Sequence, residues 1–67
     1  MAITGDALSI ASDKALAVVQ EELGQGGSVT DTEVGDEESY YEVEVTLDDG
    51  REVDVQLDED FNFVGFD

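Results

Sequence analysis

From Tyr40 to Leu57, apolar and polar residues alternate in two runs that flank Asp48-Asp49-Gly50. In an extended chain Tyr41, Val43, Val45 and Leu47 share one face, and Glu42, Glu44 and Thr46 share the other. Val53, Val55 and Leu57 repeat the pattern, so the segment predicts a β-hairpin with one buried face. Parity selects its register. A two-residue Asp49-Gly50 turn would set Val45 opposite Asp54 and mix the faces, whereas a three-residue loop sets Val45 opposite Val53 and Val43 opposite Val55. The three-residue loop is therefore expected, with Gly50 at its positive-φ position. The same register places Glu44 opposite Asp54, two like charges that repel.

Upstream, Leu8, Ala11, Ala15, Leu16, Val19 and Leu23 recur at three- and four-residue spacing, the stripe of an amphipathic helix. Asp13, Lys14, Gln20 and Glu21 lie off it. Thr4 is placed to cap the helix, which begins near Gly5 or Asp6, and Gly24 supplies the left-handed residue that ends it. The alanines in mid-stripe suggest close approach to a sheet. Val29 to Val34 reads as a weaker strand, because its two valines are five apart and share a face only if a bulge intervenes. Gly35-Asp36-Glu37-Glu38 is a polar connection. After a turn at Asp58-Glu59-Asp60, Phe61 to Phe66 forms a last strand with two possible facings. Either Phe61 and Phe63 join the core opposite Leu57 and Val55, leaving Val64 and Phe66 on the open face, or the reverse holds. The fold class is α+β: one N-terminal helix packed on a three- to four-stranded antiparallel β-meander, with residues 1–67 as a single domain.

Composition narrows the chemistry. The chain has 67 residues without cysteine or histidine, so it lacks disulfides, thiolate metal sites and the commonest general base. No serine has a histidine to activate it, and no glycine cluster follows a strand in a phosphate-binding pattern. Paired carboxylates, Glu44 with Asp54 or Asp48 with Asp49, would need a cleft to work as acid and base, and a flat sheet or an exposed turn provides none. Asp58-Glu59-Asp60-Phe61-Asn62 carries the start of a calcium loop, but Phe63 stands where the sixth-position glycine belongs and no glutamate closes it. Turn formation accounts for those residues. No enzyme activity, cofactor or metal is expected.

Several pieces resemble the PepSY domain family: Ala15-Leu16-Ala17, Gly26-Gly27-Ser28-Val29, Tyr41-Glu42-Val43-Glu44-Val45, Asp49-Gly50-Arg51-Glu52-Val53 and Leu57-Asp58-Glu59-Asp60-Phe61. The opening Ile3-Thr4-Gly5 is similar to secreted single-domain versions from high-GC Gram-positive bacteria. The resemblance implies an extracytoplasmic α+β module of the kind found in thermolysin-like metallopeptidase propeptides and cell-envelope proteins, restraining peptidases or binding other partners without catalysis. The acidity and the absence of an attached peptidase or membrane segment depart from the usual pattern.

Nineteen acidic residues face only Lys14 and Arg51, a formal charge of −17. Direct nucleic-acid binding is excluded, because phosphate contact needs positive charge. Three readings of the acidity stay open. Glu42, Glu44, Glu52 and Asp54 could dock on a basic patch of a peptidase, or act as a DNA mimic for a basic nucleic-acid-handling protein. Alternatively, the charge is a solubility or halophilic adaptation without a site. Tyr40 is expected to be exposed and Tyr41 buried, and Tyr40 beside Val64 or Phe66 could contact a protein partner. A monomer is expected, since charged copies repel, although bare strand edges could pair weakly. Apolar windows are too short to span a bilayer. Met1-Ala2-Ile3 lacks the basic start and apolar core of an export signal. The chain is thus expected to be either cytoplasmic or a mature secreted fragment given an initiating Met, and the resemblance favours the latter.

Self-repulsion on this scale opposes compaction unless salt screens it. The thermal midpoint, followed by circular dichroism, is expected to rise clearly from low to molar salt. A flat dependence would show that repulsion does not limit stability.

Overall fold

A computed structural model describes residues 5–34 and 40–67. Helix α1 (Gly5–Leu23) is followed by strands β1 (Gly27–Val34), β2 (Tyr41–Leu47), β3 (Glu52–Leu57) and β4 (Phe63–Phe66). The strands form one antiparallel sheet in the order β1-β2-β3-β4, and α1 lies across one face in contact with all of them. This is the expected α+β meander, with four strands. The Thr4 cap and the Gly35–Glu38 connection fall outside the described residues. No helix among the described residues is long and apolar enough to cross a membrane.

The core follows from two periodicities meeting. Val43, Val45 and Leu47 of β2 and Val55 and Leu57 of β3 are buried, every second residue of each strand, and Val53 packs at their margin. Against them α1 sets Ala11, Ala15, Val18 and Val19, with Ala7 and Leu16 at the edge of the cluster. The helix departs from the expected stripe in one respect. Its inner line runs Ala7, Ala11, Ala15, Val19 at four-residue steps, which draws Val18 inside and leaves Leu8 and Leu23 largely exposed. Side chains no longer than a methyl let the helix backbone approach the valine face closely, so the axis turns toward the alanines and the bulkier leucines flank the contact.

The expected hairpin register is observed: Val43 pairs with Val55, Val45 with Val53 and Glu44 with Asp54. Leu47 N donates to Arg51 O and Gly50 N to Leu47 O, closing the three-residue loop with Gly50 at φ +92°. Gly24, at φ +71°, donates its N–H to Gln20 O and ends the helix as expected. The tip of the hairpin is tied to the segment after α1. The Gln25 side-chain amide donates to Asp49 Oδ2 (3.2 Å) and its oxygen accepts from Asp49 N (3.1 Å), while Asp48 N donates to Gly26 O.

Both outer strands carry a bulge. In β1 the pairing steps from Val29 opposite Val45 to Asp31 opposite Glu44, so Thr30 is the extra residue and Val29, Thr32 and Val34 all turn inward. This is the bulge that the five-residue spacing of the valines required. In β4 the pairing steps from Phe63 opposite Leu57 to Gly65 opposite Gln56, leaving Val64 as the extra residue. The strand also begins at Phe63 and not at Phe61, because Phe61 takes φ +66° within the preceding turn.

Leu57 is fully buried where α1, β2 and β3 meet. Leu57→Ala is expected to cost about 2–5 kcal/mol, most of the stability available to a chain of this length. Urea unfolding followed by circular dichroism measures it; a loss below ~1 kcal/mol would mean that the helix–sheet contact is not the main support of the fold.

Candidate functional site

The face of the sheet turned away from α1 is a lattice of carboxylates. Across β1 and β2, Glu33 stands opposite Glu42 and Asp31 opposite Glu44; across β2 and β3, Glu44 stands opposite Asp54. Directly opposite residues on neighbouring strands project to the same side, so these acids crowd one surface. Asp31, Thr32, Glu33, Glu42, Glu44 and Asp54 line a shallow open depression of about 80 Å³. That volume is far below the several hundred Å³ of a typical small-molecule pocket. A depression of this size and shape presents its carboxylates outward and is too small to enclose a drug-sized molecule. Among the described residues no group of three or more acidic side chains is placed to hold a metal ion.

Local contacts hold the lattice in place. Thr30, the bulge residue of β1, donates its hydroxyl to Glu44 Oε1 at 3.0 Å, and Asp31 Oδ1 accepts from Thr32 N at 2.9 Å. Asp67 N donates to Asp54 O, drawing the C-terminal residue against β3. Burial beneath its neighbours, then the charges of Glu44, Glu42, Asp67 and Glu33, push the Asp54 carboxyl above its ordinary value. The turns at either end behave oppositely. Asp49 accepts from Arg51 N and Arg51 Nε (2.8 Å) and from Gln25, and Asp58 accepts from the N–H groups of Asp60 and Asn62. Donation from the backbone, foremost Arg51 N and Asn62 N respectively, holds both carboxyls below the usual range.

Of the residues singled out in the sequence, Glu42, Glu44 and Asp54 come together in the depression. Glu52 is exposed one row away, opposite Thr46. Tyr40 is 47% exposed at the start of β2, while Tyr41 is half-buried against the core. Val64 is 52% exposed. Phe66 does not join it on the open face. The bulge at Val64 returns Phe66 to a position opposite Val55, on the helix side, with its ring 5.0 Å from that of Phe63. The first facing therefore holds for Phe61, Phe63 and Val64 and fails at Phe66, because one extra residue changes the parity between Phe63 and Phe66. Asp31, Glu33 and Asp67 belong to the site and escaped the sequence reading. The bulge that the valine spacing demanded also turns Asp31 and Glu33 outward, and following its parity through β1 would have found them.

The family model for the peptidase propeptide and YPEB domain, PepSY, matches residues 9–58, well over half of the chain. No curated protein and no solved structure matches.

The raised Asp54 carboxyl favours the protonated form in the folded state. Its contribution to stability is full below the unfolded value of 3.8 and is lost as pH rises through the higher folded value. Asp49 and Asp58 act in the opposite sense: their contribution is present above 3.8 and is lost as pH falls through their lowered folded values. Thermal midpoints are accordingly expected to peak on the acid side of neutrality, above the range in which Asp49 and Asp58 titrate. Asp54→Asn is expected to stabilise the protein at pH 7 by about 0.2–1 kcal/mol, with the gain shrinking in high salt. Destabilisation by that change would contradict the repulsion assigned to the Glu44–Asp54 pair.

Proposed function

Because the chain belongs to the PepSY family, we propose that it is a non-enzymatic interaction module that works outside the cytoplasm and modulates a peptidase. It docks as one domain, through the open acidic face of the sheet, on a basic surface of the enzyme. The observation that carries this reading is the stacking of like charges across three strands, Asp31–Glu44–Asp54 and Glu33–Glu42. Neutral polar residues at those positions would serve the fold better, so the carboxylates are retained at a cost to stability. Such a surface raises the rate of encounter with a basic partner and discriminates against acidic ones. Membership in a family of propeptide and regulatory domains supports a peptidase as that partner.

The test adds the purified protein to the secreted peptidases of its source and follows hydrolysis of a casein substrate. The wild type is expected to change the rate in low salt and to lose its effect at about 1 M salt, where charges more than ~3 Å apart are screened. The triple variant Asp31→Asn, Glu44→Gln, Asp54→Asn is expected to be inert although it melts at a higher temperature. A triple variant as effective as the wild type would remove the acidic face from the interaction. Capture of basic nucleic-acid-handling proteins with no effect on any peptidase would overturn the reading in favour of a decoy role.

A further inference from the structure

Phe61 is the only residue other than glycine with a positive φ among the described residues, at +66°. A bulky side chain in the left-handed region costs on the order of 1–2 kcal/mol, and glycine or asparagine would build the same turn more cheaply. The turn is nonetheless locked around it: Phe61 N donates to Asp58 O, Asp58 N to Asn62 O, and the Asp58 carboxylate accepts from Asp60 N and Asn62 N. What the strained backbone achieves is the position of one ring. Phe61 stacks on Tyr41 with ring centres 4.8 Å apart and planes 6° from parallel, and Tyr40 meets Tyr41 edge-on, also at 4.8 Å. Three aromatic rings thus form a column at the end of the sheet opposite the Asp49 turn. Its base packs on the core and its outer member, Tyr40, is 47% exposed.

Aromatic faces carry a negative quadrupole, and here the exposed side chains of Glu59 and Asp60 stand in the turn immediately before Phe61. The column and its acidic turn together suit a planar cation that stacks on a ring while its edge hydrogen-bonds a carboxylate. Guanidinium has that shape; ammonium does not. The chain's own Arg51 is paired with Asp49 at the far end of the hairpin. We propose that the Tyr40–Tyr41–Phe61 column anchors an arginine side chain of the protein partner. The proposal rests on the reading that the module docks on a basic protein, and it adds a contact that discriminates arginine from lysine, which the charge lattice does not.

The experiment uses two blocked pentapeptides, glycine and serine around a single arginine or a single lysine, titrated into the isotope-labelled protein and followed by NMR of the aromatic ring and backbone amide protons. Arginine peptide is expected to shift Tyr40 and Phe61 saturably, binding several-fold more tightly than its lysine counterpart. Tyr40→Ala should abolish the shifts at Phe61, Tyr40→Phe should retain them, and neutralising Glu59 and Asp60 together should weaken them. Because Tyr40 lies outside the buried core and about half of it is open to solvent, melting curves of its variants are expected to stay near that of the wild type. Equal binding of the two peptides, shifts confined to Asp31, Glu44 and Asp54, or no saturable shift would each overturn the proposal. These outcomes leave the acidic face intact as a docking surface, whose own failure is read separately from the triple variant and peptidase rates.

Discussion

Everything in this structure depends on the contact between a line of alanines and a sheet of valines. Ala7, Ala11, Ala15 and Val19 run down one side of α1 and meet Val43, Val45, Val55 and Leu57, all but Ala7 fully buried. With no cysteine to form a disulfide in a chain of 67 residues, the hydrophobic surface removed from water here is the principal force opposing conformational entropy and a charge of −17. Ala11 and Ala15 leave room for the helix to lie close to the sheet, and Val18 and Val19 fill the space beside them. Close packing of this kind is what a small core has in place of size.

The period of a β-strand then couples the two faces of the sheet. Each valine that points to the helix obliges its neighbours to point away from it, and in β2 and β3 four of those six neighbours are acidic, Glu42, Glu44, Glu52 and Asp54, beside Thr46 and Gln56. The register that buries Val43 against Val55 is the register that opposes Glu44 and Asp54. Core formation and charge crowding cannot be separated by sliding a strand, since a one-residue slip would exchange the faces entirely. The like charges are held together by the burial beneath them, and a weaker core could not support them.

Much of this was legible in the alternation of residues, and where it was not, the reasons are local. Parity alone predicts the hairpin register and the Gly50 loop, because a wrong register there would bury Asp54. It also predicts the β1 bulge, because Val29 and Val34 cannot otherwise share a side. In β4 the same logic gives two facings, of which the first holds as far as Val64 and misplaces Phe66. Phe63, Val64 and Phe66 are all apolar, so no polar residue marks the extra position that the bulge occupies. Similarly, Leu8 and Leu23 look like stripe residues by spacing, and only the close approach permitted by the alanines moves them to the margin. The aromatic column was hidden because Phe61 reaches Tyr41 through a backbone conformation that its residue type disfavours.

The two bulges have a further consequence for how the module meets other chains. Among the described residues the open four-stranded sheet leaves β1 and β4 with unpaired edges, the usual route to edge-to-edge association. Here the extra residue sits in the edge strand both times, Thr30 in β1 and Val64 in β4, where it interrupts the regular spacing of outward backbone groups. Edge pairing over any length is thereby disfavoured independently of charge, and it stays disfavoured in salt that screens the carboxylates. On the proposed function, recognition falls to side chains, the acidic lattice on the open face and the aromatic column at its end. The two protections are complementary, because salt that screens the carboxylates removes one and leaves the bulges in place.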